Sequence, residues 1–163
     1  MSDILARLCP PSASAMLDGW IEGEAHLYPL LVQFEDTDAG GIVYHANYLS
    51  FAERGRSGWL RCLGISQQSF LQDQKVGFVV RRATLDYQRP AYLNDEVIVE
   101  TRLQSGSAVR MIADQTIRGV EEGKKVTDGH IFAKVEVEIV MVNEIGRPIR
   151  FPKEIFAKMM PEG

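Results

Sequence analysis

Three carboxylates fall within four positions in the stretch EDTDAGGIVYHANY, residues 35–48: Glu35, Asp36 and Asp38, then Gly40 and Gly41, then His45. Residues of these types in this order suit three kinds of chemistry. The first is calcium binding, because Asp36, Asp38 and the glycines superficially match the start of an EF-hand loop. Such a loop needs an oxygen ligand at its fifth position and a bidentate glutamate at its twelfth. Counted from Asp36, those positions hold Gly40 and Asn47, and a strand pattern precedes the stretch where a helix is required, so the calcium reading fails. The second is a plain acidic turn, since Asp and Gly favour turns and acids are favoured near a helix N-terminus. The third is catalysis. Backbone N–H groups at a helix start are unpaired and carry partial positive charge, and can hold a carbonyl oxygen as negative charge develops on it. A carboxylate at Asp38 would then attack the carbonyl carbon or activate a water. Bulky Val43 and Tyr44 suggest a packed loop, and the two glycines let another molecule approach the backbone closely. No G-x-S-x-G elbow occurs in the chain, which disfavours an α/β-hydrolase mechanism.

These residues need elements to position them. Leu30, Val32 and Phe34 alternate with Leu31, Gln33 and Glu35, as in a strand running into the acidic stretch. From Ala46 to Leu63 the period lengthens, and Tyr48, Leu49, Ala52, Trp59, Leu60 and Leu63 recur at helical steps up to Gly64. Gly55 and Gly58 inside that helix each cost about 1 kcal/mol relative to alanine, so they are expected to mark a close approach of another backbone, of the sheet or of a partner subunit, the alternative being a point where the helix frays or bends. A short second helix is expected over residues 66–71. Strands are expected at 78–88, 95–104, 108–118 and 131–141, with turns at Ser105-Gly106-Ser107 and at Glu121–Lys124, and a short final helix opening at Pro152. The fold class is α+β: a five-stranded curved antiparallel sheet wrapped round one long central helix. Such a sheet leaves edge strands, and pairing them between subunits protects them, so a dimer is expected.

With 163 residues the chain is the size of one domain. Its 45% hydrophobic and 25% charged residues are ordinary for a soluble globular protein, and a net charge of −4 argues against nucleic-acid binding. Cys9 and Cys62 form neither a disulfide framework nor a zinc spacing. No signal-peptide pattern and no apolar run near the ~20 residues of a membrane span is seen, so a soluble, cytoplasmic protein is expected. Residues 1–26 read as a weakly ordered extension and 27–163 as the domain. Asp36 is expected to hydrogen-bond the turn, His26 and His130 to be surface or loop residues, Cys62 a small core residue, and Trp59 core or interface.

The run VQFEDTDAGGIVYHANYLSFAERGR, residues 32–56, continued by VGFVVRRATLDYQRPAYLNDEVIVET, residues 76–101, resembles the hotdog-fold acyl-CoA thioesterases of the 4-hydroxybenzoyl-CoA thioesterase family. It is most similar to the YbgC-like, tol-pal system-associated branch, and the resemblance covers about residues 28–155. It implies a hotdog fold and hydrolysis of acyl-CoA to free acid and CoA without metal or cofactor. It implies Asp38 as nucleophile or general base, and His45 as the helix-start residue whose backbone N–H polarises the thioester carbonyl and whose ring contributes. Gly41 would turn the loop, Tyr44 and Tyr48 would flank the pocket, and Glu53 would lie on the helix near the site. It also implies a homo-oligomer, a dimer or a homotetramer built from dimers, with sites at the dimer interface and acyl carrier protein as a further partner. Two rivals stay open: a hotdog hydroxyacyl-thioester dehydratase, and a non-catalytic module that binds acyl carrier protein. Some relatives hold nucleotide phosphates with basic residues after the third strand; here that turn is Ser105-Gly106-Ser107-Ala108, and Arg81, Arg82, Arg102 and Arg110 are expected to be solvated sheet residues.

Overall fold

The computed structural model describes residues 17–160. Its strands are β1 (Trp20–Glu22), β2 (Ala25–Leu31), β3 (Val76–Tyr87), β4 (Glu96–Ser107), β5 (Arg110–Gly119), β6 (Ile131–Asn143) and β7 (Pro148–Ile149). Its helices are α1 (Asn47–Cys62), α2 (Gln67–Ser69), which runs into a wider turn at Phe70–Gln74, and α3 (Lys153–Met159). All strand pairs are antiparallel, in the order β1-β2-β4-β5-β6-β3, with β7 added beside the end of β6. The expected α+β architecture is present, but the sheet has seven strands and not five. β1 and β7 are three and two residues long, too short to carry an alternation that the sequence would reveal.

Helix α1 lies across the sheet and buries Tyr48, Phe51, Ala52, Gly55, Arg56, Gly58, Trp59 and Leu60, most of them related by three- and four-residue spacings along one face. Against them stand Val97 and Val99 of β4, Ala113 and Ile117 of β5, and Val135 and Val137 of β6, the inward residues of alternating strands. The expected approach of another backbone is found at Gly58, whereas Gly55 is pressed by side chains of the sheet. A Cβ on Gly55 would stand 2.8 Å from Val99 Cγ1, and one on Gly58 would stand 2.6 Å from the Asp18 carbonyl oxygen. Leu49 is turned outward, so the buried stripe is narrower than the sequence suggested.

Other expectations shift. β2 ends at Leu31, and a 3-10 turn over Phe34–Asp36 replaces its continuation, so Phe34 points outward at 82% exposure. The connection expected at Ser105-Gly106-Ser107 belongs to β4, and the chain turns at residues 108–109. Gly106 is small because Met160 lies over it, with Sδ 2.4 Å from where a Cβ would be. The expected boundary between extension and domain at residues 26 and 27 falls inside β2, while residues 1–16, the rest of that extension, lie outside the described residues. His26 is not a surface residue: it is fully buried, and its Nε2 donates to the Asp18 carbonyl at 2.7 Å. Cys62 is not in the core but exposed, with Sγ 3.7 Å from the Asp18 and Gly19 carbonyl oxygens. His130 is a half-buried loop residue bonded to Glu121, and Trp59 is in the core.

Candidate functional site

The acidic stretch folds into a small hairpin ahead of α1. Thr37 bridges to Val43, and the Asp38 N–H donates to the Ile42 carbonyl at 3.0 Å. The tip, residues 38–41, is closed by the Gly41 N–H on the Asp38 carbonyl at 2.9 Å. Gly41 has φ +77°, a left-handed conformation that glycine adopts without cost. On its other side the hairpin is bound to the segment before β4: the Val43 N–H donates to the Ala91 carbonyl at 2.8 Å, and Ile42 bridges to Tyr92.

The three acids separate by environment. Glu35 is exposed within the 3-10 turn. Asp36 is buried, and its carboxylate accepts the Gln33 N–H at 2.8 Å, the structural role expected of it. Its carbonyl accepts the Tyr44 N–H and the Asn47 side-chain amide, both at 2.9 Å, which locks the hairpin to the first residue of α1. Asp38 is exposed at the hairpin tip. One of its carboxylate oxygens accepts the Gly40 N–H at 2.8 Å, and the other has no acceptor role among the described residues. Asp38 therefore offers a carboxylate oriented by one hydrogen bond and open on its second oxygen.

α1 begins at Asn47, two residues after His45, and a turn over Tyr44–Asn47 leads into it. Among the described residues neither the His45 N–H nor the Ala46 N–H has an acceptor. The carbonyls sharing their peptide planes are both held: Tyr44 C=O accepts the Asn47 N–H at 2.8 Å, and His45 C=O accepts the Tyr87 hydroxyl at 2.9 Å. Since a peptide unit is planar, fixing each carbonyl aims the N–H on its far side. The result is a pair of oriented, unoccupied donors at a helix start, the arrangement that stabilises an oxyanion.

The other expected residues divide. The exposed Tyr44 ring lies 4.5 Å from the His45 ring. Tyr48 is buried below the groove that Ile42, Val43, His45, Tyr87 and Pro90 also line. Its hydroxyl oxygen accepts the Ala91 N–H at 3.1 Å, and burial raises its pKa, so it remains a neutral phenol. Glu53 is not brought to this groove. It stands at the mouth of a second cavity, ion-paired with Arg56 and bonded to Ser57 Oγ at 3.2 Å. Sequence reasoning passed over Tyr87 and Asn47, whose side chains hold the hairpin and helix start in place. Tyr87 is the last residue of β3, and only the pairing of β3 at the sheet edge next to α1 reveals its role.

Of the four arginines expected on the sheet surface, Arg81 pairs with Glu138 at 2.6 Å and Arg102 with Glu100 at 2.8 Å, while Arg82 and Arg110 are exposed. Among the described residues no helix is long and apolar enough to cross a membrane.

The sequence matches the thioesterase-like superfamily over residues 32–159. It is 36% identical to "Acyl-CoA thioesterase YbgC" of Haemophilus influenzae over 132 residues, covering 80% of this chain and 90% of that protein. It is 37% identical to "Acyl-CoA thioester hydrolase YbgC" of Escherichia coli over 132 residues, covering 80% and 92%. Among solved structures, a probable thioesterase from Bartonella henselae matches with a TM-score of 0.69 and 33% identity, covering 78% of this chain and 99% of that one.

Proposed function

Because the chain belongs to the thioesterase-like superfamily, we propose that it hydrolyses acyl-CoA thioesters to free acid and CoA, in the cytoplasm, with Asp38 as the attacking or water-activating carboxylate and the His45–Ala46 N–H pair as the oxyanion site. The observation that carries this reading is the pair of aimed, unoccupied donors at the start of α1, which follows the hairpin presenting Asp38. In one form of the step the free Asp38 oxygen attacks the thioester carbon, the C–S bond breaks, CoA leaves as thiolate, and water hydrolyses the acyl–aspartyl anhydride. In the other, Asp38 takes a proton from water as that water attacks. Both forms place negative charge on the carbonyl oxygen, where two N–H donors lower the barrier by several kcal/mol.

Gly41, Tyr44 and Tyr48 serve this site by shaping the turn and walling the groove. We assign the protein as a homo-oligomer built through β3. That strand is 12 residues long, pairs among the described residues only with β6, and exposes Val79, Val80 and Tyr87. A long, partly apolar free edge is an aggregation hazard unless another strand covers it, and antiparallel pairing with a second copy is self-complementary.

Thiol release from a panel of acyl-CoAs tests the reading. Asp38→Asn is expected to lower kcat by about 10²–10⁴-fold; wild-type turnover in that variant overturns the assignment of Asp38. Single-turnover reaction in ¹⁸O-water then separates the two forms, since label enters the Asp38 carboxylate only through the anhydride. A 3-hydroxyacyl thioester that loses water with its thioester intact would instead mark a dehydratase.

A further inference from the structure

Where α1 crosses the middle strands it presents small residues, Ala52 and Gly55. Apolar contact is non-directional, so it fixes the distance between helix and sheet more firmly than the position of the helix along its own axis. A directional tie comes from Gln115 on β5, a polar side chain only 1% exposed. Its Nε2 donates to the Ala52 carbonyl at 2.8 Å and to Thr101 Oγ1 of β4 at 2.9 Å, and its Oε1 accepts from Arg56 Nη1 at 2.6 Å. One amide thus meets two residues of α1 that stand one turn apart, an acceptor at Ala52 and a donor at Arg56. A guanidinium only donates and a carbonyl oxygen only accepts, so the amide fits in a single orientation. Gly55 leaves room for it, since a Cβ there would stand 3.3 Å from Gln115 Nε2. Among the described residues these are the only hydrogen bonds that join α1 itself to a strand. The charge of Arg56, a residue 7% exposed, is balanced by Glu53. That ion pair lies within α1 and moves with it, so the bonds to Gln115, and not the ion pair, hold the helix to the sheet.

We propose that Gln115 and Arg56 are positioning residues for the hydrolysis: they fix α1 along its axis and so place the His45–Ala46 N–H pair relative to Asp38. The inference rests on the thioesterase reading above. A helix rises 1.5 Å per residue, so the Ala52 tie stands about 9 Å behind Ala46. A slip of α1 by one residue would carry the donors about 1.5 Å, and a misplacement of about 1 Å at a reacting centre lowers the rate by about 10²-fold. Asn47 and Tyr48 also tie the front of α1, but to the loop residues Asp36 and Ala91, which can yield with it. Gln115 stands on β5, between β4 and β6 in the body of the sheet, and supplies the point that does not yield.

Replacing both partners together, Arg56→Met with Gln115→Met, tests it. The pair removes the tie without stranding a buried charge, because the Glu53 side chain is 54% exposed, and exchanging a whole buried polar group for apolar side chains is often neutral for stability. Melting temperature is expected to stay close to wild type and KM within about twofold, while kcat per folded molecule falls at least about tenfold. Gln115→Glu decides if the double variant does not fold: its carboxylate still accepts from Arg56 but cannot donate to the Ala52 carbonyl, and the same loss of kcat is expected. The backbone amide NMR signals of His45 and Ala46 should shift in these variants, a readout independent of turnover. Wild-type kcat per folded molecule in either variant, or His45 and Ala46 signals that stay in place, overturns the proposal. If the wild-type protein cleaves no thioester, the thioesterase reading fails separately and the amide signals decide. Shifted signals then support the tie as the device that places the helix start, and unmoved signals overturn it.

Discussion

The Tyr87 hydroxyl touches no reacting atom in the proposed step, yet it sets the tilt of the peptide whose far side is the Ala46 N–H. Tyr87→Phe removes one hydrogen bond worth about 0.5–1.5 kcal/mol from a half-exposed side chain. It is expected to lower kcat by up to about tenfold with KM and melting temperature little changed; a loss of melting temperature with kcat intact would make Tyr87 a purely structural tie. His26 acts differently. Burial lowers its pKa below the ordinary 6.5, outweighing the raising effects of the hydrogen bond to the Asp18 backbone and the Asp18 charge, while Arg61 adds to the lowering. The unfolded chain takes up a proton near 6.5 that the folded chain refuses, so the contribution of His26 to stability is complete above that pH and is lost as pH falls below it. Melting temperature should decline from about pH 7 toward pH 5.5 in the wild type and decline less in His26→Gln; parallel curves would remove His26 from the account. The role proposed for Asp38 could be put forward from the sequence because an acid, glycines and a helix start are neighbours in it. Tyr87, His26 and Arg56 were not, because their roles depend on partners 42, 8 and 59 positions away.

At the scale of elements, α1 carries a conflict that its sequence announces. Gly58→Ala would gain about 1 kcal/mol of helix propensity but drive a Cβ to 2.6 Å from the Asp18 carbonyl oxygen and 2.9 Å from the Tyr28 ring. Overpacking of this kind costs about 1–3 kcal/mol, and the obstacle is partly backbone, so thermal unfolding of Gly58→Ala is expected at lower temperature than wild type; a higher melting temperature would mean the segment at Asp18 yields freely. The long strands were readable for the same reason the glycines were, since β6 alternates buried Ala133, Val135, Val137, Ile139 and Met141 with exposed Lys134 and Glu136 and with Glu138, which is buried beneath its partner Arg81. Alternation says where a strand can run but not where it stops. It carried β2 onward to Phe34, although the Gln33 N–H bond to Asp36 bends the chain away. It likewise stopped β4 short at Ser105, although Gly106 is a point of close contact with Met160.

For the whole molecule, solution mass should be an even multiple of the 18.3 kDa chain. Val79→Lys, which sets a charge on the free β3 edge, should shift it toward a single chain and lower thioesterase activity with it. An active wild-type monomer in light scattering would refute assembly through β3. The order β1-β2-β4-β5-β6-β3 has a kinetic meaning as well. β4, β5 and β6 are consecutive neighbours joined by short-range contacts, while β2 and β3, consecutive in sequence, stand on opposite flanks of that meander with α1 stretched between them. Closing such distant pairings is slow because chain entropy is lost before contacts form. The meander should therefore acquire protection first in pulse-labelled hydrogen exchange. The Asp38 hairpin, strung between β2 and α1 and tied to residues 91–92, should be among the last parts to form, so a refolding chain becomes a compact sheet before it becomes a catalyst.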